Sequence, residues 1–200
     1  DDSKGSSPVL DLYFFRQFTP RQSITANAVG TYISTQTGSF YDEGTPYRYD
    51  VDGKSASLLS EVIYENRLKP FTLSTGLNYS YKHTKNDYHG DASALTAMNN
   101  NALYAFGEIK GSLRQLRYAL GTGASYIHYT QNGHSYDFWT LRPKVSLTYG
   151  FNNGMQLGYS FQMCDRTSLI AMTSAATIRI NSMEWMMGNP DLKPSRDREH

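Results

Sequence analysis

The stretch of sequence that decides the fold is FTLSTGLNYSYK, residues 71–82. Its odd-numbered positions hold Phe, Leu, Thr, Leu, Tyr and Tyr, and its even-numbered positions hold Thr, Ser, Gly, Asn, Ser and Lys. Because successive side chains of a β-strand point to opposite faces, this order predicts a strand with one apolar face and one polar face. At roughly 3.3 Å per residue and a tilt of roughly 40°, the stretch projects to about 30 Å, which covers the apolar band of a membrane-spanning strand.

The same alternation recurs along the chain. Two further clean examples are residues 139–150 and 155–164. Weaker examples, with less well sorted faces, are residues 9–18, 23–34, 55–65, 101–111 and 116–129. With almost no stretch of helical period, the chain is predicted to be all-β with about eight long strands. The alternation predicts one set of side chains that faces lipid (Leu73, Leu77, Leu157 and Phe161) and one that faces a barrel lumen (Ser74, Asn78, Gln156 and Gln162).

The overall composition excludes several classes of protein. The 200 residues carry a net charge of +1, which is not the basic excess expected of a nucleic-acid binder, and a single cysteine cannot form an internal disulfide. No run of apolar residues approaches the roughly 18 that a membrane helix needs. The mean hydropathy of −0.55 is typical of a soluble domain. A membrane barrel also has a low average, because its lipid-facing and lumen-facing residues alternate.

The connections between the predicted strands are short and long in turn. The short ones are residues 19–22, 66–70, 112–115 and 151–154, and the long ones are residues 35–54, 83–100 and 130–137. Basic residues mark the short connections (Arg21, Arg67, Lys69 and Arg114), and acidic residues populate the long ones (Asp42, Glu43, Asp50, Asp52, Asp87 and Asp91). This order predicts an antiparallel up-and-down transmembrane β-barrel segment with short periplasmic turns and long extracellular loops.

A soluble β-sandwich is the main alternative, acting as an adhesin or a carbohydrate-binding module, because amphipathic strands also alternate there. Aromatic residues gather near the predicted strand ends, as in the two girdles of a membrane barrel. They are Phe71, Tyr79, Tyr81, Tyr126, Tyr129, Trp139 and Tyr149. The girdles favour the membrane barrel and leave the sandwich open.

The tail of the chain departs from the alternation. Residues 167–180 show no clean pattern, and residues 181–187 are predicted to form a helical turn. The heptad that follows is GNPDLKP, formed by Gly188, Asn189, Pro190, Asp191, Leu192, Lys193 and Pro194. It resembles the motif that TonB-dependent outer-membrane receptors place at the end of a long extracellular loop, just before the next barrel strand. Residues 10–14 and 29–32 are similar to the barrel walls of the same family.

This resemblance implies that residues 1–200 are a partial outer-membrane β-barrel domain. Residues 165–195 would be a long extracellular loop, and residues 196–200 would begin a further strand. The family's barrels have about 22 strands, and its members carry an N-terminal plug and a TonB-contacting box, neither of which this sequence shows. The implied function is energy-coupled uptake of a nutrient (a siderophore, glycan or peptide) across the outer membrane of a Gram-negative type of bacterium. The implied partners are outer-membrane lipid, the nutrient, and the TonB complex through N-terminal parts that this sequence lacks.

A stand-alone eight-stranded outer-membrane barrel is a further alternative. Its narrow interior would enclose the cations that share the lumen-facing positions, Lys82, Arg117, Arg142 and Lys144. Unpaired buried charges are costly, and Glu61 and Glu65 are the best acidic partners in the sequence. A wider lumen accommodates these cations more easily, which favours a segment of a larger barrel.

No catalytic or cofactor motif is present in the sequence, so the chain is not expected to be an enzyme or to bind nucleic acid. The run DVDG at residues 50–53 begins like a calcium loop but is predicted to be a turn. The glycines of residues 121–123 are expected to admit an aromatic ring or to bend the wall. Cys164 is expected to be a small wall residue.

A metal site at His83 and His89, with Asp87 and Asp91, is possible from their residue types, but a solvated polar loop is the preferred interpretation. The best ligand-binding candidates are aromatic and hydrogen-bonding residues of the long connections: Tyr41, Tyr47, Arg48, Tyr49, Tyr88 and His89. The alternative for these six is girdle or loop packing.

Overall fold

A computed structural model describes residues 2–42, 46–91, 93–166, 177–179, 184–189 and 195–199. All of the regular structure in these residues is β. The strands are β1 (Asp2–Ser6), β2 (Val9–Thr19), β3 (Gln22–Tyr41), β4 (Tyr47–Arg67), β5 (Phe71–Gly90), β6 (Ala94–Leu113), β7 (Leu116–Gln131), β8 (His134–Leu141), β9 (Lys144–Gly150), β10 (Gln156–Arg166), β11 (Thr177–Arg179), β12 (Trp185–Met187) and β13 (Ser195–Glu199). The described residues contain no helix that could span a membrane.

Eleven of the strands form one antiparallel sheet, and β11 pairs with β12 in a separate two-stranded sheet. β1 and β2 both pair with the same side of β3, and β8 and β9 both pair with the same side of β7, so the eleven strands occupy nine positions. The all-β, up-and-down fold predicted from the alternation is therefore confirmed. Eight of the nine positions correspond to the eight predicted strands, and β13 takes the ninth beside β10, where a further strand was expected from residue 196.

A proline separates β8 from β9. β8 and β9 pair with successive stretches of β7 in the same register. Between them, the backbone N–H of Arg142 still donates to the carbonyl of Gly123 at 2.9 Å. Pro143 has no N–H to donate, so the ladder breaks there. The single strand predicted over residues 139–150 is thus two strands in one position.

The long connections predicted as loops are hairpins instead. Residues 35–41 extend β3 and residues 47–54 extend β4 in unbroken register, from Thr35 opposite Gly53 to Tyr41 opposite Tyr47. Residues 83–90 extend β5 and residues 94–100 extend β6 in the same way, and residues 130–131 and 134–137 belong to β7 and β8. The DVDG run predicted as a turn lies within β4, where Gly53 pairs with both Thr35 and Asn86. The apolar alternation ends where the lipid ends, but cross-strand backbone hydrogen bonds do not depend on it.

The tail also differs from its prediction. Trp185–Met187 is strand β12, paired with Thr177–Arg179, and not part of a helical turn; residues 181–183 lie outside the described residues. Asp165 and Arg166, expected in a loop, belong to β10, and the next wall strand, β13, begins at Ser195 opposite Arg166. Backbone pairing within the tail, which the residue pattern does not signal, replaces the local turn.

The two faces of the sheet differ in burial. On one face, here called the inner face, Ser74 is 3% exposed and Ser125 is 1% exposed, whereas on the outer face Leu77 is 47% exposed. This matches the predicted lumen and lipid sides. Outer-face aromatics form a lower girdle near the short turns (Tyr64, Phe71, Tyr118 and Tyr149) and an upper girdle (Tyr32, Tyr79, Tyr81, Tyr126 and Trp139). Phe71 and Tyr81 on β5 are about 25 Å apart along the barrel axis at a tilt of roughly 40°.

Tyr129, predicted as a girdle residue, lies on the inner face instead. It is three positions beyond Tyr126, so the two side chains point to opposite faces. Its side chain is fully buried and its hydroxyl donates to Gln131 Oε1 at 2.5 Å. Burial raises the pKa of the Tyr129 phenol to about 12, because the charged phenolate is disfavoured away from water.

The two edges of the sheet run in the same direction. All neighbouring positions are antiparallel, so the first position (β1 and β2) and the ninth (β13) are parallel to each other. Within the described residues the sheet does not close. Direct pairing of these edges would create a parallel seam, and an antiparallel closure between them therefore needs an odd number of additional strands.

Candidate ligand-binding site

The structure brings the six predicted ligand-binding residues to one region, the ends of β3, β4 and β5 that lie in the long β3–β4 and β5–β6 hairpins. Tyr41 ends β3 opposite Tyr47, the first residue of β4. Asp50, two residues after Arg48, pairs with His89, and Val51, the next residue, pairs with Tyr88. Residues distant in sequence become neighbours because both hairpins extend well beyond the upper girdle.

Strand alternation divides these residues between two faces. Tyr47, Tyr49 and Tyr88 belong to the inner face, and Arg48 and His89 belong to the outer face. The predicted residues therefore contribute to two clusters, one aromatic and one charged. Both lie beyond the upper girdle.

The inner aromatic cluster consists of Tyr47, Tyr49 and Trp185. The ring centroids of Tyr47 and Tyr49 are 5.9 Å apart, and Trp185 meets Tyr47 edge to face at 5.3 Å. Tyr88 is 6% exposed and supports the cluster by packing against Tyr49, Val51 and Ala94. Trp185 was missed in the sequence because its strand, β12, carries no alternation long enough to place it.

The outer charged cluster lines a concavity of about 680 Å³. Its ionic contacts are Arg48 to Asp50 at 3.6 Å, His89 to Asp52 at 3.8 Å and His89 to Asp87 at 3.5 Å. The remaining lining residues include Lys4, Gln36, Ser39 and Phe40. Charged and apolar groups stand side by side here, which suits a polar ligand with an apolar part.

Two hydrogen bonds between Arg48 and Asp91 hold the end of the hairpin that carries this cluster. The Arg48 N–H donates to Asp91 Oδ2 at 2.7 Å, and the Asp91 N–H donates to the Arg48 carbonyl at 2.8 Å. Asp91 thereby joins the ends of β4 and β5. Its carboxylate positions the backbone of the charged cluster.

The histidines considered for a metal site do not lie in a loop. His83 is in β5, where its Nδ1 lies 2.6 Å from Asn99 Oδ1. His89 lies six residues further along the same strand, beside Asp52 and Asp87. In the part of the chain that the structure describes, no group of three or more His, Cys, Asp or Glu residues is placed to hold a metal ion.

Ion pairs cross the inner face between the girdles. Lys110 Nζ lies 2.5 Å from Glu65 Oε1, and Lys144 Nζ lies 2.9 Å from Glu108 Oε2. Glu65 was predicted as an acidic partner for lumen cations, but Glu108 was missed. The guanidinium of Arg142 lies 4.4 Å above the Tyr104 ring, so an aromatic face compensates this cation.

Glycines allow aromatic rings to lie flat on the inner wall. A Cβ on Gly76 would come within 2.6 Å of Phe106, and one on Gly123 would collide with the Tyr104 ring. The rings of Tyr104 and Phe106 stack at 5.4 Å. The predicted role of residues 121–123 in admitting an aromatic ring is confirmed at Gly123.

The family comparison agrees with this architecture. A model described as the outer membrane protein beta-barrel family matches residues 16–196. A comparison with curated proteins gave no match. One large up-and-down sheet with an apolar outer face is incompatible with the two packed sheets of a β-sandwich. The chain therefore belongs to the outer membrane protein beta-barrel family and is located in the outer membrane of a Gram-negative type of bacterium.

Proposed function

We propose that this chain is part of the barrel wall of a TonB-dependent receptor that takes up a nutrient across the outer membrane. The observation that carries the proposal is the place of the GNPDLKP heptad. It ends at Pro194, and the wall strand β13 begins at Ser195 and pairs with β10. Gly188 and Asn189 follow β12, and Pro190, Asp191, Leu192, Lys193 and Pro194 lie outside the described residues. A loop motif directly before a wall strand is the arrangement that the resemblance implies.

The sheet edges support a barrel larger than the nine described positions. Because β2 and β13 run in the same direction, further strands are required for antiparallel closure between them. In lipid an unpaired strand edge is costly, since no water satisfies its N–H and C=O groups. A larger barrel also leaves room for the charged inner wall.

The proposed nutrient is a small polar ligand with an apolar part, such as a siderophore, glycan or peptide. It would first contact the extracellular ends of the hairpins, where Tyr47, Tyr49 and Trp185 offer rings for stacking, Arg48 offers a positive charge and His89 offers an imidazole for hydrogen bonding. The proposed activity is transport without covalent chemistry, driven by the TonB complex acting on N-terminal parts of the protein.

Nutrient uptake in cells tests this proposal. Cells that carry the full-length protein are grown on a panel of ferric siderophores, oligosaccharides and oligopeptides as limiting nutrients. The proposal predicts that one nutrient class requires the protein, and that its uptake stops when TonB is deleted or the proton gradient is collapsed. Uptake that persists without TonB would overturn it.

Paired aromatic variants locate the ligand contact. Tyr47→Ala combined with Trp185→Ala should raise the nutrient concentration needed for half-maximal uptake about 30-fold, since each of the two lost aromatic contacts contributes on the order of 1 kcal/mol. Phe151→Ala in a periplasmic turn is the matched control and should change uptake less than twofold. Equal effects of the two changes would indicate general damage to the barrel and not a ligand contact.

A stand-alone barrel of eight positions is the second candidate, and the partial pairing of β13 favours it. β13 covers only residues 162–166 of β10, and no strand of the described residues pairs with this edge of β10 over residues 156–160. β2 and β10 run in opposite directions and could pair directly. The test places one cysteine at Leu12 and a second at Leu157 or Tyr159, in a background that carries Cys164→Ser. The two cysteines would form a disulfide in the eight-position barrel and would stay reduced in the larger one.

A further inference from the structure

The inner face of the projecting hairpins is uncharged on β3 to β6. Beyond the row of paired residues that contains Lys82, its positions are the odd-numbered residues of 33–41 and 47–55 and the even-numbered residues of 84–90 and 94–98. None of these described positions holds Asp, Glu, Lys or Arg, and most hold Tyr, Thr, Ser or Asn. A ligand that enters from outside the cell therefore meets hydroxyl, amide and aromatic groups on this part of the wall.

The neighbouring surfaces show that water alone does not explain this lack of charge. The outer face of the same hairpins carries Arg48, Asp50 and Lys85. Deeper in the lumen, the inner face carries ion pairs such as that of Lys110 with Glu65. A charged side chain costs little where water reaches it, so charges are tolerated on both of these surfaces. The uncharged wall is thus a distinct property of the mouth of the lumen.

A glycine opens a polar notch in this wall. A Cβ on Gly53 would lie 2.5 Å from Thr35 Oγ1 and 3.5 Å from Asn86 Oδ1, so the two side chains flank bare backbone on the inner face. All three residues are partly exposed. A threonine hydroxyl donates and accepts hydrogen bonds, and an asparagine amide offers one acceptor and two donors. This set complements adjacent hydroxyl groups of a sugar, each of which also donates and accepts.

Aromatic and apolar groups lie on the extracellular side of the notch. Tyr49, a member of the inner aromatic cluster, is four residues from Gly53 along β4, a distance of roughly 13 Å. Val51 lies between them and packs against Tyr88. The C–H groups of a sugar ring pack well on the negative face of an aromatic ring. The distance from the notch to the rings is longer than one sugar ring and suits a short chain of linked sugars.

We propose that the mouth of the lumen binds a neutral oligosaccharide. One sugar ring stacks on the inner aromatic cluster, and the hydroxyl groups of another bind Thr35 and Asn86 at the Gly53 notch. This inference rests on the proposed function and selects its nutrient class. An anionic ferric chelate calls for basic side chains, and a peptide brings a charged amino group and a charged carboxyl group. The uncharged wall complements neither of them.

Sugar binding to the full-length protein tests the proposal. The protein is kept in a detergent with an oligoethylene glycol headgroup, because a sugar headgroup would compete. Calorimetric titrations use neutral hexasaccharides of glucose, xylose, mannose and fructose, and the anionic hexagalacturonate. We expect at least one neutral hexasaccharide to bind, and hexagalacturonate to bind at least about tenfold more weakly, because its carboxylates find no partner. Binding of no neutral hexasaccharide, or tighter binding of hexagalacturonate, would overturn the proposal.

Two double variants locate the notch. Thr35→Val combined with Asn86→Ala should weaken binding about 25-fold, from roughly fivefold for each lost hydrogen bond. The matched control is Thr130→Val combined with Gln36→Ala, which removes one hydroxyl and one amide from the outer face of the hairpins. It should change the affinity less than about twofold, because its side chains point away from the lumen. Equal thermal unfolding midpoints show that both variants fold, and equal weakening in both would overturn the notch.

Uptake by cells separates this inference from the proposed function. Uptake of the bound hexasaccharide that stops when TonB is deleted supports both. Sugar binding at the notch with uptake that persists without TonB would support the oligosaccharide site and overturn the proposed function. TonB-dependent uptake of a ferric siderophore or an oligopeptide, with no sugar transported, would support the proposed function and overturn the oligosaccharide site.

Discussion

The strands β3 to β7 each contain two regions that share one backbone ladder and differ in chemistry. Between the girdles the outer face is apolar, as at Leu77, and the inner face is polar, as at Ser74. Beyond the upper girdle both faces carry polar or charged residues, yet the register continues without a shift from Asn66 opposite Gln22 to Tyr47 opposite Tyr41. The comparison shows that lipid dictates the alternation of side chains, whereas backbone hydrogen bonding dictates the length of the strand.

The largest expected effect comes from placing a charge in the apolar band. Leu77→Arg puts a guanidinium near the middle of the bilayer, and we expect a loss of about 2–4 kcal/mol in the free energy of unfolding. Reversible folding into lipid vesicles with guanidinium chloride measures it.

Leu95 is the matched leucine beyond the girdle. It also lies on the outer face and is 56% exposed, against 47% for Leu77. Leu95→Arg should cost less than about 1 kcal/mol, because a charge at or beyond the interface stays hydrated. Similar losses at both positions would show that the girdles do not mark the membrane boundary.

A smaller effect is expected from filling the space under an inner-wall ring. Gly76→Ala introduces a Cβ within 2.6 Å of Phe106 and within 2.9 Å of the Val62 carbonyl, so the ring or the ladder must shift. We expect a loss of about 1–3 kcal/mol, measured by the same vesicle titration.

Gly107→Ala is the control for that substitution. Nothing lies within 4 Å of a Cβ at Gly107, so the added methyl should be neutral or stabilise by about 0.5–1 kcal/mol through reduced backbone freedom. Phe106→Leu should partly rescue Gly76→Ala, since the shorter side chain leaves the contact. Failure of that rescue would argue that the ladder, and not the ring, is strained.

Ion pairs allow the same comparison of the two regions. Glu108, whose side chain is 16% exposed, pairs with Lys144 on the inner wall between the girdles, whereas Arg48 and Asp50 pair in the open at 70% and 51% exposure. Glu108→Gln should cost about 1.5 kcal/mol and Asp50→Asn less than about 0.5 kcal/mol. Glu108→Gln is then combined with Lys144→Gln. If the double variant loses as much stability as the two single variants added together, a stabilising interaction between Glu108 and Lys144 is ruled out.

The fold was predictable where the environment forces a pattern. Residues 71–82 alternate because one face meets lipid, and their strand and both of their faces are confirmed. The projecting hairpins were not predictable from the same signal, because beyond the membrane boundary neither face has to be apolar along its whole length. A run such as DVDG therefore resembled a turn although it continues β4.

The candidate site was predictable in part for the same reason. Residue types suited to ligands identified Tyr47, Arg48 and His89, and the structure places them together. It also shows that they lie on different faces, which follows from strand pairing and not from residue type. The contact between Tyr47 and Trp185 joins distant parts of the chain, and no periodic signal in either segment specifies it.

The smallest effect concerns the β7–β8 hairpin beyond the girdle. Hydrogen bonds from Tyr126 and His128 hold the pKa of the Asp137 carboxyl below its usual value. The folded-state pKa is lower than the unfolded one, so this stabilisation is present above about pH 4 and is lost as the pH falls through the folded value. The measurement is hydrogen exchange of the hairpin amides between about pH 5 and pH 2, corrected for intrinsic rates. Protection of these amides should decline with falling pH in the wild type. In Asp137→Asn it should be low already at pH 5 and should not change with pH. Because the three groups are partly exposed and close to water, the decline should be confined to this hairpin while the amides between the girdles stay protected. An equal decline in both regions would assign the acid sensitivity to the whole barrel instead of to this carboxylate.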